Sequence, residues 1–143
     1  MQPKLFFDTQ KDMLDCLDEW KGRLGLSDWW IAGRICAAEE MQLEDCAGES
    51  EVQHVNRCGL ISIRRKEDLP DDMIIKQPQE LTLIHELLHF KFVAFEEENR
   101  EEALFELHQH QLLEDMAKAM YMAKYNLKWD WFITDKHREG AKE

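Results

Sequence analysis

A chain of 143 residues, 44% hydrophobic and 34% charged, has the length of one domain and enough apolar side chains to bury a core. Its formal net charge of −12 speaks against nucleic-acid binding, which needs a basic surface to displace counterions. No apolar run approaches the roughly 20 residues that span a membrane, and the N-terminal MQPKLFFDTQKD lacks the apolar core of a signal peptide.

In chain order, Met13, Leu14, Leu17, Trp20 and Leu24 recur at helical spacing over residues 8 to 25, and Gly22 and Gly25 mark the end of that helix. Residues 29 to 37, WWIAGRICA, read as a strand. EDCAGES at 44 to 50 carries turn chemistry, a second strand is expected over 51 to 56, and a third, CGLISIR, over 58 to 64. Arg64-Arg65-Lys66 is the one concentrated basic run. Glu67 and Asp68 follow it directly, so it reads as a solvated strand end. Pro78 suits the first turn of a helix, because the N–H it lacks would be unpaired there. That helix, about 78 to 93, is apolar almost all round and therefore buried. A further long helix covers about 98 to 124, with Ala103, Leu107, Leu113, Ala117 and Met120 on one stripe. The tail from about 126 to 143 begins with aromatics that must pack somewhere and ends polar. The expected fold is a single α+β domain, 1–143, of three main helices and a small antiparallel sheet.

The four cysteines, Cys16, Cys36, Cys46 and Cys58, contain no C-x-x-C pair, which speaks against a thiolate zinc knuckle. Without a secretion signal, reduced thiols in the cytoplasm are expected.

The chemistry lies in LTLIHELLHFKF, residues 81 to 92. Positions i and i+4 share a helix face, so His85 and His89 can offer imidazole nitrogens to one ion. Zinc suits neutral imidazole in four-fold coordination. Glu86 sits about 100° round the helix, out of ligand geometry but placed to take a proton from an activated water. The bland alternative is a pair of polar residues on an exposed face, but this helix has little exposed face. Two histidines and a glutamate in a buried helix need partners, and a metal supplies them. The longer His-Glu-x-x-His-x-x-Gly-x-x-His pattern is excluded, because Phe95 stands where its third histidine would be. A third ligand must come from the next helix, where Glu106, His110 and Glu114 follow one another at spacings of four. Glu101 and Glu102 belong to a charge run that reads as a solvated helix start.

With LGLSDWWIAGRI at 24 to 35, GLISIRR at 59 to 65, LTLIHELLHFKF at 81 to 92 and HQHQLLEDMAKAMY at 108 to 121, the chain resembles the small metallopeptidases encoded in bacterial and phage genomes and related to minimal gluzincins. The resemblance covers most of the chain, and the His-Glu-Leu-Leu-His segment is its specific element. It implies a three-helix domain whose sheet edge, here GLISI, runs along a zinc cleft and pairs with an extended peptide. Such relatives place a glutamate in the later helix, and His110 falls in that register. The implied zinc ligands are therefore His85, His89 and His110, with Glu86 as general base and Glu106 or Glu114 as alternatives or as acceptors orienting an imidazole. The oxyanion-stabilising residue is open among Tyr121, Tyr125, His54, His108 and His137.

The function expected is that of a zinc metalloendopeptidase acting on a peptide or protein substrate, with no nucleic-acid or membrane partner. The alternative is a non-enzymatic, zinc-stabilised module that binds a peptide or protein partner. In a latent form, the aromatics at 129 to 132 would plug the cleft.

Overall fold

The computed structural model describes residues 3–99 and 102–141. Within them the order is α1 (Gln10–Arg23), β1 (Trp30–Cys36), β2 (Gly48–Gln53), β3 (Cys58–Arg64), α2 (Gln79–Asn99), α3 (Ala103–Tyr125) and α4 (Asp135–Ala141). Three of the four helices are long, and the class is α+β. Thr9 starts α1 by accepting a hydrogen bond from the Asp12 N–H at 3.1 Å. Gly25 ends it in the left-handed region at φ 70°, with the Leu26 N–H returning to the Lys21 carbonyl at 2.8 Å.

The sheet order is β1-β3-β2, and here two expectations need correction. First, the sheet is mixed: β2 pairs with β3 antiparallel, but β1 pairs with β3 parallel, Trp30 opposite Cys58 through Cys36 opposite Arg64. Alternating apolar residues specify which face of a strand is buried and carry no information about its direction. Second, GLISI lies in the central strand, so its backbone is hydrogen-bonded on both sides and it cannot be the free edge. That edge is β2, which begins at Gly48 inside the stretch read as a turn. The sequence of β2, GESEVQ, is a poor strand former with the charges typical of an edge.

One core holds the layers together. Ile61 and Ile63 of β3 meet Leu81, Leu83, Ile84, Leu87, Leu88 and Phe90 of α2, all essentially buried. The near-continuous apolar sequence of α2 thus corresponds to burial on almost every side. The helix outruns its expected end at residue 93 and continues to Asn99. Along α3 the buried stripe is Gln109, Leu113, Ala117 and Tyr121. It is rotated from the stripe read in the sequence, since Ala103 and Leu107 are exposed.

At the start of α2, Glu80 is buried and saturated with donors. It accepts from Lys124 Nζ at 2.9 and 3.1 Å, from the Tyr125 hydroxyl at 2.5 and 3.0 Å, and from Trp20 Nε1 at 3.4 Å. Burial and the neighbouring Glu80 carboxylate push the Tyr125 hydroxyl up to about 12. This cluster ties α1, α2 and α3 together. The tail is also built in. Ile75 and Ile133 form an antiparallel bridge, the Thr134 N–H donates to the Ile74 carbonyl at 3.0 Å, and Trp131 and Phe132 pack on Tyr121.

Candidate metal centre

Between β2 and α2 lies a cleft of about 550 Å³. Gly48 sets how closely the two walls approach: a Cβ there would stand 2.5 Å from Thr82 Cγ2 and 3.4 Å from Glu86 Cγ. Only glycine lets the edge strand lie against the motif turn. The outer lip is the loop carrying Leu43, Cys46 and Ala47. It is pinned by Glu49, whose carboxylate accepts the backbone N–H of Gln42 at 2.9 and 3.1 Å and of Leu43 at 2.9 Å.

Three imidazoles converge in this cleft. His85 and His89 project from successive turns of α2, and His110 reaches them from α3. Ring centroids are 5.2 Å apart for His85–His89, 5.4 Å for His89–His110 and 5.9 Å for His85–His110. One nitrogen from each ring can be chosen so that all three lie within 4.8 Å of one another, a group that could hold a metal ion. Because the buried stripe of α3 runs through Gln109 and Leu113, His110 stands at its border and is exposed, while His85 and His89 are largely covered.

Two of the rings are held by carboxylates. His85 Nδ1 donates to Glu114 Oε2 at 2.8 Å, and His89 Nδ1 donates to Glu96 Oε1 at 2.6 Å. With Nδ1 protonated toward a carboxylate, Nε2 of each ring keeps its lone pair for an ion, the usual arrangement behind metal-binding histidines. Glu96 also accepts from the buried Gln109 amide. Burial opposes the charged form of His89, but the hydrogen bond it donates to Glu96 and the charges of Glu86 and Glu96 outweigh it and raise its pKa. His110 moves the other way, lowered first by burial and then by the other two rings. For Glu114, burial is outweighed by the His85 hydrogen bond and charge, and its pKa falls. Burial, followed by the charge on Glu86, raises the Cys46 thiol and favours its neutral form.

Glu86 lines the cleft beside these rings and is 6% exposed. Among the described residues no group donates a hydrogen bond to its carboxylate. It is a largely buried acceptor whose side chain lines the cleft.

Of the residues singled out from the sequence, the structure brings together His85, Glu86, His89, His110 and Glu114. Glu114 bonds a histidine ring. Glu106 acts on His110 only through its charge. Glu102 caps α3 outside the cluster, and Glu101 lies outside the described residues. None of the five oxyanion candidates lines the cleft: Tyr121 is in the core, Tyr125 is bonded to Glu80, and His137 faces a different cavity. Nor does the aromatic tail plug the cleft, because its pairing with residues 74 to 76 holds it elsewhere. Sequence reasoning missed Glu96. Its signal was available, since positions i and i+7 share a helix face two turns apart, which places Glu96 above His89.

Comparison with protein-family models, with curated proteins and with solved structures returns no match. Among the described residues, no helix is long and apolar enough to cross a membrane, and the four cysteines are free.

Proposed function

We propose that the chain is a cytoplasmic zinc-dependent metalloendopeptidase of the minimal gluzincin kind, with His85, His89 and His110 as ligands and Glu86 as general base. One observation carries the reading. Three imidazoles present nitrogens within 4.8 Å of one another, two of them bonded through Nδ1 to carboxylates, beside a buried carboxylate that has no donor of its own among the described residues. The donor set fits zinc, which takes neutral imidazole and leaves a fourth position open in catalytic sites. Zinc, when bound, supplies a Lewis acid and a water acidified to about pH 7. Glu86 takes a proton from the attacking water and returns it to the leaving amine. The free edge of β2 offers backbone hydrogen bonds to an extended substrate. The free thiols accord with a reducing compartment.

The test is metal analysis of the purified protein together with peptide-library cleavage by the native chain and by Glu86→Gln. One zinc per chain, cleavage by the native protein and none by the variant are expected. Absence of zinc from native protein purified without chelator, or equal cleavage by the two proteins, overturns the reading.

A second reading, a zinc-stabilised module that binds peptide without cutting it, is favoured by one observation. No tyrosine, and no histidine beyond the three of the cluster, lines the cleft among the described residues to steady an oxyanion. Peptide binding without cleavage under every metal and pH condition decides for that module.

A further inference from the structure

The three-histidine cluster is open on two sides. His85, His110 and Glu114 line the cleft along β2, and they also line a shallow groove that continues over α3 past Leu107, Gln111 and Asp115. Asp115 in turn forms part of the wall of a separate cavity of about 550 Å³ beyond it. Shared residues therefore connect the edge strand, the histidines and this distant cavity in one surface path. The cavity is apolar, formed mainly by Ile74, Ile75, Met122, Trp129, Phe132 and Ile133. Its walls are preformed: the Ile75–Ile133 bridge and the Thr134-to-Ile74 hydrogen bond fix the tail against residues 74 to 76. Yet Ile74 and Trp129 at its rim are 61% and 69% exposed, although large apolar side chains on a pinned frame could have been covered. Concave, rigid and apolar surface of this kind is the signature of a binding site.

We propose that this cavity is an anchor site for the polypeptide that enters the cleft, taking one bulky apolar side chain at a fixed distance from the cut bond. The proposal rests on the peptidase reading for the position of the cut. Its occupant is an extended chain, because the path begins at a free strand edge and the groove and the cavity share Asp115 as a wall. Its length follows from α3: His110 and Met122 are separated by 12 residues, about 18 Å of helix, which five or six extended residues span at about 3.3 Å each. Charge selects the bridging segment. The path runs over Glu114 and Asp115, and Lys118, 4.0 Å from Glu114, offsets one of them. Neutral or basic residues between cut and anchor are therefore preferred.

The experiment uses the full-length, zinc-loaded protein. A dodecapeptide that it cleaves is selected from a random library and remade with Phe or Ser at each position four to seven residues from the cut, on either side. At one register the Phe peptide is expected to be cleaved with about 10–100-fold higher kcat/KM than its Ser counterpart, mostly through KM. In the doubly substituted Ile74→Ser/Trp129→Ala protein, with both changes at exposed positions, that ratio collapses to one. Fluorescein-labelled copies of the Phe and Ser peptides, titrated into Glu86→Gln protein with and without the two rim changes, give the same comparison without turnover. A ratio near one in the native protein, a ratio that survives the rim changes, or light scattering showing that the face is covered by a second copy of the chain overturns the proposal. If no library peptide is cut, the same labelling is applied to the library members that bind Glu86→Gln protein. Loss of their Phe preference in the rim variant then supports the anchor site while the peptidase reading falls.

Discussion

Glu80 and Glu86 stand on the same helix and are buried alike, 7% and 6% exposed, but their surroundings differ. Glu80 is surrounded by donors: an ammonium, a phenol and an indole converge on its two oxygens, and the cluster joins three helices. Glu86 has none among the described residues and faces a cleft beside three imidazoles. Burying a carboxylate is costly, and proteins ordinarily compensate with hydrogen bonds and opposite charge. Where they do so, the group is structural. Where a carboxylate opens on a cleft instead and no protein group donates to it, its lone pairs are left for water or a ligand. Position on the helix and degree of burial do not distinguish the two residues. The donor inventory does.

Several substitutions break or sharpen this contrast. The largest effect is on chemistry: Glu86→Gln should lower the rate of peptide cleavage by about 10²–10⁴, read as kcat on a selected peptide, while the zinc content measured by atomic emission stays at that of the native protein. The next is on stability. Glu80→Ala leaves the Tyr125 hydroxyl without its acceptor and Lys124 with Glu19 alone, and should cost about 1–3 kcal/mol in urea unfolding. A loss below about 1 kcal/mol would mean that the cluster is not what joins the helices. Smaller again, Glu114→Gln and Glu96→Gln should each weaken zinc about 10–100-fold in a chelator competition, because each frees an imidazole to rotate. Glu106→Gln, which bonds none of the three rings, should change zinc affinity less than either. The smallest is the stability of Glu86→Gln without metal, expected within about 1 kcal/mol of the native chain. A destabilisation as large as that of Glu80→Ala would erase the distinction.

The sequence foretold the parts of this molecule that depend on local pattern. The buried helix was legible because Leu81, Leu83, Ile84, Leu87, Leu88 and Phe90 leave it no polar face. The pairing of His85 with His89 was legible because helical geometry fixes their separation. The direction of β1 was not, since a period of two is the same read either way. Nor was the edge role of β2, because Gly48 looks like turn chemistry until Thr82 and Glu86 are seen packed against it. His110 was placed by register, but its exposed position at the border of the α3 stripe was not, because Leu107 invited a rotation of the helix that burial of Gln109 forbids. Glu96 escaped because its pairing with His89 spans two turns and is confirmed only by a third residue, Gln109, from another helix.

The bridge between Ile75 and Ile133 has a consequence for the order of assembly. It joins the approach to the motif helix to a segment that is synthesised after both histidine-bearing helices. Contacts between positions so far apart in sequence are slow to form, because the intervening chain must be brought to heel first. On the ribosome, the histidine-bearing helices would emerge and pack before the tail arrives to clasp them. An early-released chain ending near residue 127 would have its three imidazoles in order and Tyr121 uncovered. Stop codons placed beyond residue 127 would therefore separate the ordering of the three imidazoles from the ability of the chain to persist.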